Sequence, residues 1–417
     1  MSDAHDQVTS SHASAHVTST QSSLSQQVKR IWQGDNGSIP ILIGLAALVI
    51  YFQIQNSVFL TPQNLTNLLI QSCFFVLLSM SEIWLLLLGE IDLSLGFVAG
   101  IGASVAVILV DTQNNWPWWL AVGLALLITT AITTMSGVLV IRLRLPSFIV
   151  TLAGLLGWQG VLIWLVDKQG TGGAIPLHNS ELYNLVNGNF TPIATIIFMI
   201  VIVVLFSFSM LRADRNRRTS GLESHPKVAI AKIVLLALTG GLMIWIFNTN
   251  RSTFTKINGM PFVIPIVLAI LAAGSFILIK TKAGRYIYAI GGNTEAARRA
   301  GVNVNRYRLL AFSLAGLTAG IGGLIYASRL GGISDAIDGG NLVLESVAAA
   351  VIGGTSLFGG RGKMINAVVG GVIIATIPNG MGLIGMSAAT QYIATALVLL
   401  AAVTIDSIAR RGSTVSG

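Results

Sequence analysis

Apolar stretches about 20 residues long recur along most of this chain, and they constrain its fold more than any other feature. A helix needs about 20 predominantly apolar residues to cross a bilayer. The stretches are continuous, whereas membrane-spanning strands would alternate apolar and polar residues, so helices are predicted. Only 10% of the 417 residues are charged, against roughly 25% in soluble domains. We therefore predict an all-α polytopic membrane protein.

Twelve apolar segments are candidates for membrane-spanning helices. They lie at residues 38–56, 65–88, 93–111, 117–141, 146–165, 192–211, 229–248, 262–280, 309–328, 342–358, 364–380 and 387–406. The tenth and eleventh are short and rich in glycine, which is typical of broken or re-entrant segments. The sequence thus predicts about 10–12 transmembrane helices, with short broken or re-entrant segments among them.

The polar segments around these spans define the predicted domain organisation. Residues 1–37 are rich in Ser, Thr, His and Gln, which predicts a disordered cytoplasmic tail. A transmembrane permease domain is predicted over 38–408, with a cytoplasmic segment at about 281–308. Residues 409–417 form a second predicted cytoplasmic tail.

Metal and disulfide chemistry find little support in the sequence. His12 and His16 have a spacing suited to metal ligands, but no further ligand lies nearby, so a solvated tail and no metal site are predicted. Cys73 is the single cysteine and lies in an apolar segment, which is typical of a small core residue.

The net charge of +9 would suit a nucleic-acid partner, but its distribution favours another interpretation. If the N-terminus is cytoplasmic, 21 of the 25 lysine and arginine residues fall in inner segments and four in outer loops. An excess of positive charge on the cytoplasmic side orients membrane proteins. We therefore predict that both termini are cytoplasmic, and we expect no nucleic-acid partner.

A small polar helix is predicted between the eighth and ninth apolar segments, on the cytoplasmic side. Asn293 is suited to cap its start and Gly301 to end it. Glu295 lies near the positive end of the helix dipole, and Arg298 and Arg299 lie near the negative end. We expect Gly291 and Gly292 to allow a tight turn before it. A helix this short must pack on something, either this chain or a partner.

Three motifs together resemble the permeases of ABC-type sugar importers of the ribose, xylose and galactose class. The first is the coupling segment of that class, "GRYIYAIGGNTEAARRAGVNVNRYRLLAFSLAGLTAG". The second is a break between two spans, "LLLLGEIDLSLGFVAG" at 85–100. The third is "VIGGTSLFGGRGKMINAVVGG" at 351–371. The resemblance covers the chain from about residue 38 onward. The acidic "GEIDLS" and the added basic loop and span around 211–248 favour the D-xylose branch.

The resemblance implies a division of labour in a bacterial inner membrane. A homodimer of permeases would form the pathway, a periplasmic sugar-binding protein would deliver substrate, and a cytoplasmic ATPase would bind the small helix and drive alternating access. The coupling residues would be Gly291, Gly292, Asn293, Thr294, Glu295, Ala296, Ala297, Arg298, Arg299 and Gly301. ATP would belong to the partner, because the nearest approach to a Walker A loop here, "SLFGGRGKM", lacks its first glycine and its Ser/Thr. No cofactor is therefore expected on this chain.

Polar residues within the apolar segments are the remaining candidates, because charge at membrane depth is costly and often functional. For Glu90 and Asp92, pathway or gating roles compete with capping of the next helix by Asp92 or Ser94. We expect Glu82 to hydrogen-bond to a neighbouring helix. Gln71 and Asn379 are candidates for sugar contact, with Asn379 placed at a predicted helix break after Pro378.

Two other functions compete with an ABC-type permease. An ion-coupled secondary sugar transporter has a similar topology but needs ionisable residues at the midplane, for which Glu82 is the candidate. An intramembrane enzyme would need a catalytic constellation, and the sequence has no H-E-x-x-H and no G-x-S-x-G motif. The predicted function is therefore a sugar permease subunit without enzymatic activity of its own.

Overall fold

The computed structural model describes residues 38–220, 226–252, 255–397 and residue 400. The predicted tails at 1–37 and 409–417 lie outside these residues, as does the predicted domain end at 408. The described part is mainly helical and contains one short two-stranded sheet. The predicted all-α class is confirmed.

The helices follow the predicted apolar segments. The N-terminal half contains α1 (Ser38–Gln55), α2 (Pro62–Leu86), α3 (Leu95–Val110), α4 (Trp118–Leu143), α5 (Ser147–Gln169), α6 (Ser180–Asn187) and α7 (Pro192–Thr219). The C-terminal half contains α8 (Pro226–Asn248), α9 (Val263–Lys280), α10 (Lys282–Gly292), α11 (Thr294–Arg299), α12 (Val304–Leu330), α13 (Gly339–Ile352) and α14 (Ile365–Leu383). A further helix is described over residues 388–397.

Within the described residues, eight helices are long and apolar enough to cross a membrane, namely α2, α4, α5, α7, α8, α9, α12 and α14. Shorter apolar helices occupy Ile43–Gln55, α3 and α13. The short tenth segment is confirmed, since α13 has 14 residues. The helix break predicted at Pro378 is wrong, because α14 continues through it to Leu383. A proline inside a membrane helix is tolerated where neighbouring groups satisfy the freed backbone.

α2 and α12 form the centre of the molecule. In α2, 78% of the apolar window is buried, against 6% in α7, so α7 turns most of its surface outward. Glycines on α12 allow close packing against α4 and α3: a Cβ at Gly316 would lie 2.0 Å from the Thr133 hydroxyl, and one at Gly323 would lie 2.0 Å from the Ala99 carbonyl oxygen. Small residues at such contacts are typical of helix packing in lipid.

Contacts between loops respect the predicted alternation across the membrane. β1 (Ala174–Pro176) and β2 (Gly332–Ser334) pair antiparallel, with Ala174 opposite Ser334, and both lie in predicted outer loops. The His178 Nδ1 and Asp111 Oδ1 atoms, also in outer loops, are 3.0 Å apart. This hydrogen bond lowers the pKa of Asp111 below its usual value.

Candidate functional site

The three motifs singled out in the sequence meet at one end of the molecule, the end predicted to face the cytoplasm. We call this contact the inner junction: the break at residues 87–94, the C-terminal end of α10, and the loop at residues 353–364. The Gly360 N–H donates to the Leu87 carbonyl oxygen at 2.9 Å, which joins the break to the loop. Gly359 and Gly360 have φ values of +87° and +72°, a conformation that favours glycine. Motifs up to about 270 residues apart in the chain therefore form one structural unit.

Gly291 is packed between the other two segments of the inner junction. A Cβ at this position would lie 1.8 Å from the Leu87 carbonyl oxygen and 2.6 Å from the Gly360 nitrogen. A Cβ at the neighbouring Gly292 would meet nothing within 4 Å. The expected tight turn at these glycines is wrong, because both belong to the last turn of α10. The lack of a side chain at Gly291 serves close backbone packing instead.

α11 is the predicted small helix, and both of its predicted end signals are confirmed. The Asn293 side chain accepts a hydrogen bond from the Ala296 N–H at 2.9 Å. Gly301 has a φ of +84°, and the Val302 N–H donates to the Ala297 carbonyl oxygen at 3.1 Å, as in a Schellman ending. The helix ends at Arg299. Its geometry is thus fixed by local bonds.

α11 turns one side to the permease and the other outward. Ala297 is buried against the core, while Ala296 and both arginines are exposed. Glu295 forms exposed ion pairs with Arg298 at 3.3 Å and Arg299 at 3.5 Å. The Thr294 hydroxyl donates to the Ile290 carbonyl oxygen at 3.0 Å, which ties α11 to α10. The alanines of α11 are therefore divided between an inner and an outer side.

The break at residues 87–94 is held by its own carboxylates. Asp92 is fully buried, and its Oδ1 accepts hydrogen bonds from the Ser94 N–H at 2.9 Å and the Ser94 hydroxyl at 2.6 Å. Ser94 occupies the cap position of α3, but its side chain does not bond to that helix. Asp92 therefore shapes the turn that leads into α3.

A second link joins the break to the start of α12. Arg308 Nη2 lies 2.9 Å from Glu90 Oε1, and the Glu90 side chain is only 10% exposed. The pair borders a cleft of about 850 Å³ that also contains Arg144 and Arg298. This ion pair was not predicted from the sequence, because its two residues are far apart in the chain.

Glu82 lies in the last two turns of α2, before the break, and its surroundings differ from expectation. Its side chain is fully buried, and neither carboxylate oxygen has a hydrogen-bond partner in the described part of the chain. The Trp84 Nε1 and the Ser79 hydroxyl are likewise buried there without partners. The expected hydrogen bond to a neighbouring helix is therefore not present.

The other two candidate residues lie away from the inner junction. Asn379 exchanges hydrogen bonds with Asn64 at 2.9 and 3.1 Å, which joins α14 to the start of α2. Gln71 is partly buried on α2, one turn from Phe74. Contact of either residue with a sugar stays a prediction.

Sequence comparisons define the class of protein. The profile of the family described as branched-chain amino acid transport system / permease component matches residues 64–403. The chain therefore belongs to this family of transport-system permease components. Such proteins work with an ATPase and a substrate-binding protein, and they are transport components rather than enzymes.

Individual relatives cover nearly the whole chain. The xylose transport system permease protein of Escherichia coli K12 is 34% identical over 378 residues, which are 89% of this chain and 92% of the relative. The corresponding Haemophilus influenzae protein is 33% identical over 374 residues, with 88% and 95% covered. The ribose import permease protein of Escherichia coli K12 is 30% identical over 366 residues, with 88% and 92% covered. No solved structure matches the chain. The predicted permease identity and membrane location are confirmed.

Proposed function

We propose that this chain is the membrane-spanning permease subunit of an ATP-driven importer for a monosaccharide, with D-xylose as the first candidate. Its support is the similarity to xylose and ribose permeases over about nine-tenths of the chain. The single observation that carries the mechanism is the inner junction, where the segment predicted to bind the ATPase contacts both the break at residues 87–94 and the loop at residues 353–364.

The geometry gives a route for force through the permease. A push on the exposed side of α11 is transmitted to α10 and reaches Gly291, whose backbone contacts those of Leu87 and Gly360. No side chain separates these backbones, so a displacement cannot be absorbed by a change of rotamer. The Glu90–Arg308 ion pair transmits the same displacement from the start of α12 to the break. Rigid movement of packed elements is one of the known ways to alternate access.

The assembly around this chain follows from the same proposal. The cytoplasmic ATPase holds the ATP, and this chain binds no cofactor itself. A binding protein delivers sugar at the opposite membrane face, and two copies of this chain form the pathway between them. Both termini and the inner junction lie in the cytoplasm, as the distribution of lysine and arginine indicates.

Reconstitution tests this function. The permease, its ATPase and its binding protein are placed in proteoliposomes, and uptake of labelled D-xylose, D-ribose and L-leucine is compared. We expect ATP-dependent uptake of a pentose and none without the ATPase. Uptake of L-leucine without uptake of either pentose would show that the substrate is an amino acid and not a sugar. Uptake by the isolated permease on an ion gradient would contradict the mechanism.

A further inference from the structure

A group of polar and aromatic side chains lies at the outer end of the molecule, away from the inner junction. We call it the outer polar cluster, and it consists of Tyr326, Arg329, Asp338, Asn341, Glu345 and Tyr392. The Tyr392 hydroxyl donates to Asp338 Oδ2 at 3.3 Å, and the Asn341 side-chain amide donates to the same oxygen. These contacts connect α13 to the helix at 388–397. Tyr326 and Arg329 lie one turn apart on α12, and α12 and α13 both pack on α2.

The outer polar cluster lies at the level of the membrane spans. Arg329 is in the last turn of α12, and Glu345 is in the second turn of α13, about 9 Å along that helix. The Tyr326 ring packs on Phe74, in the middle of α2, with ring centroids 4.7 Å apart. Gln71, a predicted pathway residue, is one turn outward from Phe74 on the same side of α2. Polar groups at this depth face a water-filled pathway or another protein rather than lipid.

Two charges in the cluster have no partner among the residues that the structure describes. Arg329 and Glu345 are both partly buried, and neither forms an ion pair or hydrogen bond among the described residues. Charged groups that are partly withdrawn from water are normally paired or hydrogen-bonded. A partly buried acid and a partly buried base without partners among the described residues therefore indicate that a ligand completes the site.

The chemistry of the six side chains favours a neutral polyhydroxy ligand. Each sugar hydroxyl both donates and accepts, so it can bond to a guanidinium, an amide and a carboxylate in one site. The two carboxylates disfavour an anion by like-charge repulsion. None of the six side chains is aliphatic, whereas a branched aliphatic side chain would need an apolar pocket. The tyrosine rings offer apolar faces for the C–H side of a sugar ring.

We propose that the outer polar cluster is a monosaccharide-binding site at the outer entrance of the pathway, which receives the sugar released by the binding protein. This proposal rests on the proposed function and adds the residues that contact the sugar. The partly exposed position of Tyr392, with 50% of its surface accessible, leaves the site open from one side.

Two measurements test the site in the complete transporter with its ATPase and binding protein. The first is initial D-xylose uptake for Glu345→Gln and Arg329→Gln, with Asp335→Asn as the matched control. Asp335 is an exposed carboxylate on the same outer loop and bonds to none of the six side chains. Loss of one charge-assisted hydrogen bond is expected to reduce uptake about tenfold. We expect Asp335→Asn to transport like wild type.

The second measurement detects binding without transport. Tyr392→Cys is made in a Cys73→Ala background, which removes the single native cysteine, and labelling by a membrane-impermeant thiol reagent is followed with and without D-xylose. Slower labelling with D-xylose but not with L-leucine supports the proposal. Protection by leucine alone overturns it, as does unchanged uptake in both charge variants. Dissociation of two permease copies by Glu345→Gln would assign the cluster to a subunit interface and also overturn it. Failure of the proposed function gives a different result from failure of the site, because the wild-type transporter would then take up no sugar.

Discussion

Glu82 is the residue at which the competing mechanisms differ most. Its carboxyl group is fully buried in α2, and both oxygens lack hydrogen-bond partners among the described residues. Ionisable groups at this depth often carry protons or ions in coupled transporters. In an ATP-driven permease no proton needs to pass through this position. Replacement of the carboxyl group therefore distinguishes the two mechanisms.

We expect Glu82→Gln to retain ATP-driven uptake to within about twofold, because glutamine keeps the shape of the side chain and removes only its ionisable proton. Initial uptake rates in proteoliposomes provide the measurement, and the amount of inserted protein provides the control. Complete loss of uptake by a normally inserted variant would assign a proton-transfer role to Glu82 and support ion coupling.

Phe358 is a second residue with an unusual environment. It is 85% exposed, directly before Gly359 in the inner junction, and its own chain leaves it almost uncovered. Aromatic anchors that fill a partner's pocket are typical of binding hot spots. The adjacent Gly359 packs against Gly291 at the end of α10, the element that leads into α11, so the ATPase is the expected partner.

Phe358→Ala is expected to weaken binding of the ATPase by about thirtyfold, in line with a hot-spot loss of about 2 kcal/mol. The thermal stability of the permease should not change, because the ring packs on little in this chain. Phe206→Ala is the matched control, since Phe206 is 57% exposed on the outward face of α7. Equal assembly of both variants with the ATPase would remove Phe358 from the interface.

At the level of elements, two contacts connect the helices on either side of α11 to the break at residues 87–94. One is the backbone packing of Gly291 at the end of α10, and the other is the Glu90–Arg308 ion pair at the start of α12. Proximity alone does not establish that two elements are coupled, so a coupling energy has to be measured.

Charge reversal measures the coupling energy of the Glu90–Arg308 ion pair. Glu90→Arg and Arg308→Glu should each reduce uptake by about fivefold or more, and the double variant should recover much of the loss, as for coupling of about 1–3 kcal/mol. The exposed Glu295–Arg299 pair provides a control for stability, since such pairs contribute about 0.3–0.5 kcal/mol. Additive losses in the double variant would show that the ion pair transmits nothing.

At the level of the whole molecule, the features that could be predicted from the sequence are those set by neighbouring residues. The apolar segments predicted the helices, and the caps Asn293 and Gly301 predicted the limits of α11, because these signals act within a few residues. The alternation of loops agrees with contacts such as Ala174 with Ser334. These predictions hold because lipid requires every spanning segment to be an apolar helix, and because positive charge in the loops determines their side of the membrane.

The sequence did not predict contacts between distant segments. Nothing local to Gly291 indicates that it packs against Leu87 and Gly360, and nothing local to Asn379 indicates its amide pair with Asn64, 315 residues away. The continuous course of α14 through Pro378 likewise depends on its neighbours. The three motifs meet only in the packed molecule. In the sequence, the glycines that all three contain were the one indication of close backbone contacts.

The central claim is that force from the ATPase passes through the close contact at Gly291. The most direct test compares Gly291→Ala with Gly292→Ala in the reconstituted transporter and measures D-xylose uptake per ATP hydrolysed. A Cβ would lie 1.8 Å from the Leu87 carbonyl oxygen at position 291 and would meet nothing within 4 Å at position 292. We predict that Gly291→Ala still binds the ATPase but takes up at least about tenfold less sugar per ATP, while Gly292→Ala behaves like wild type. Equal coupling ratios in the two variants would contradict the account.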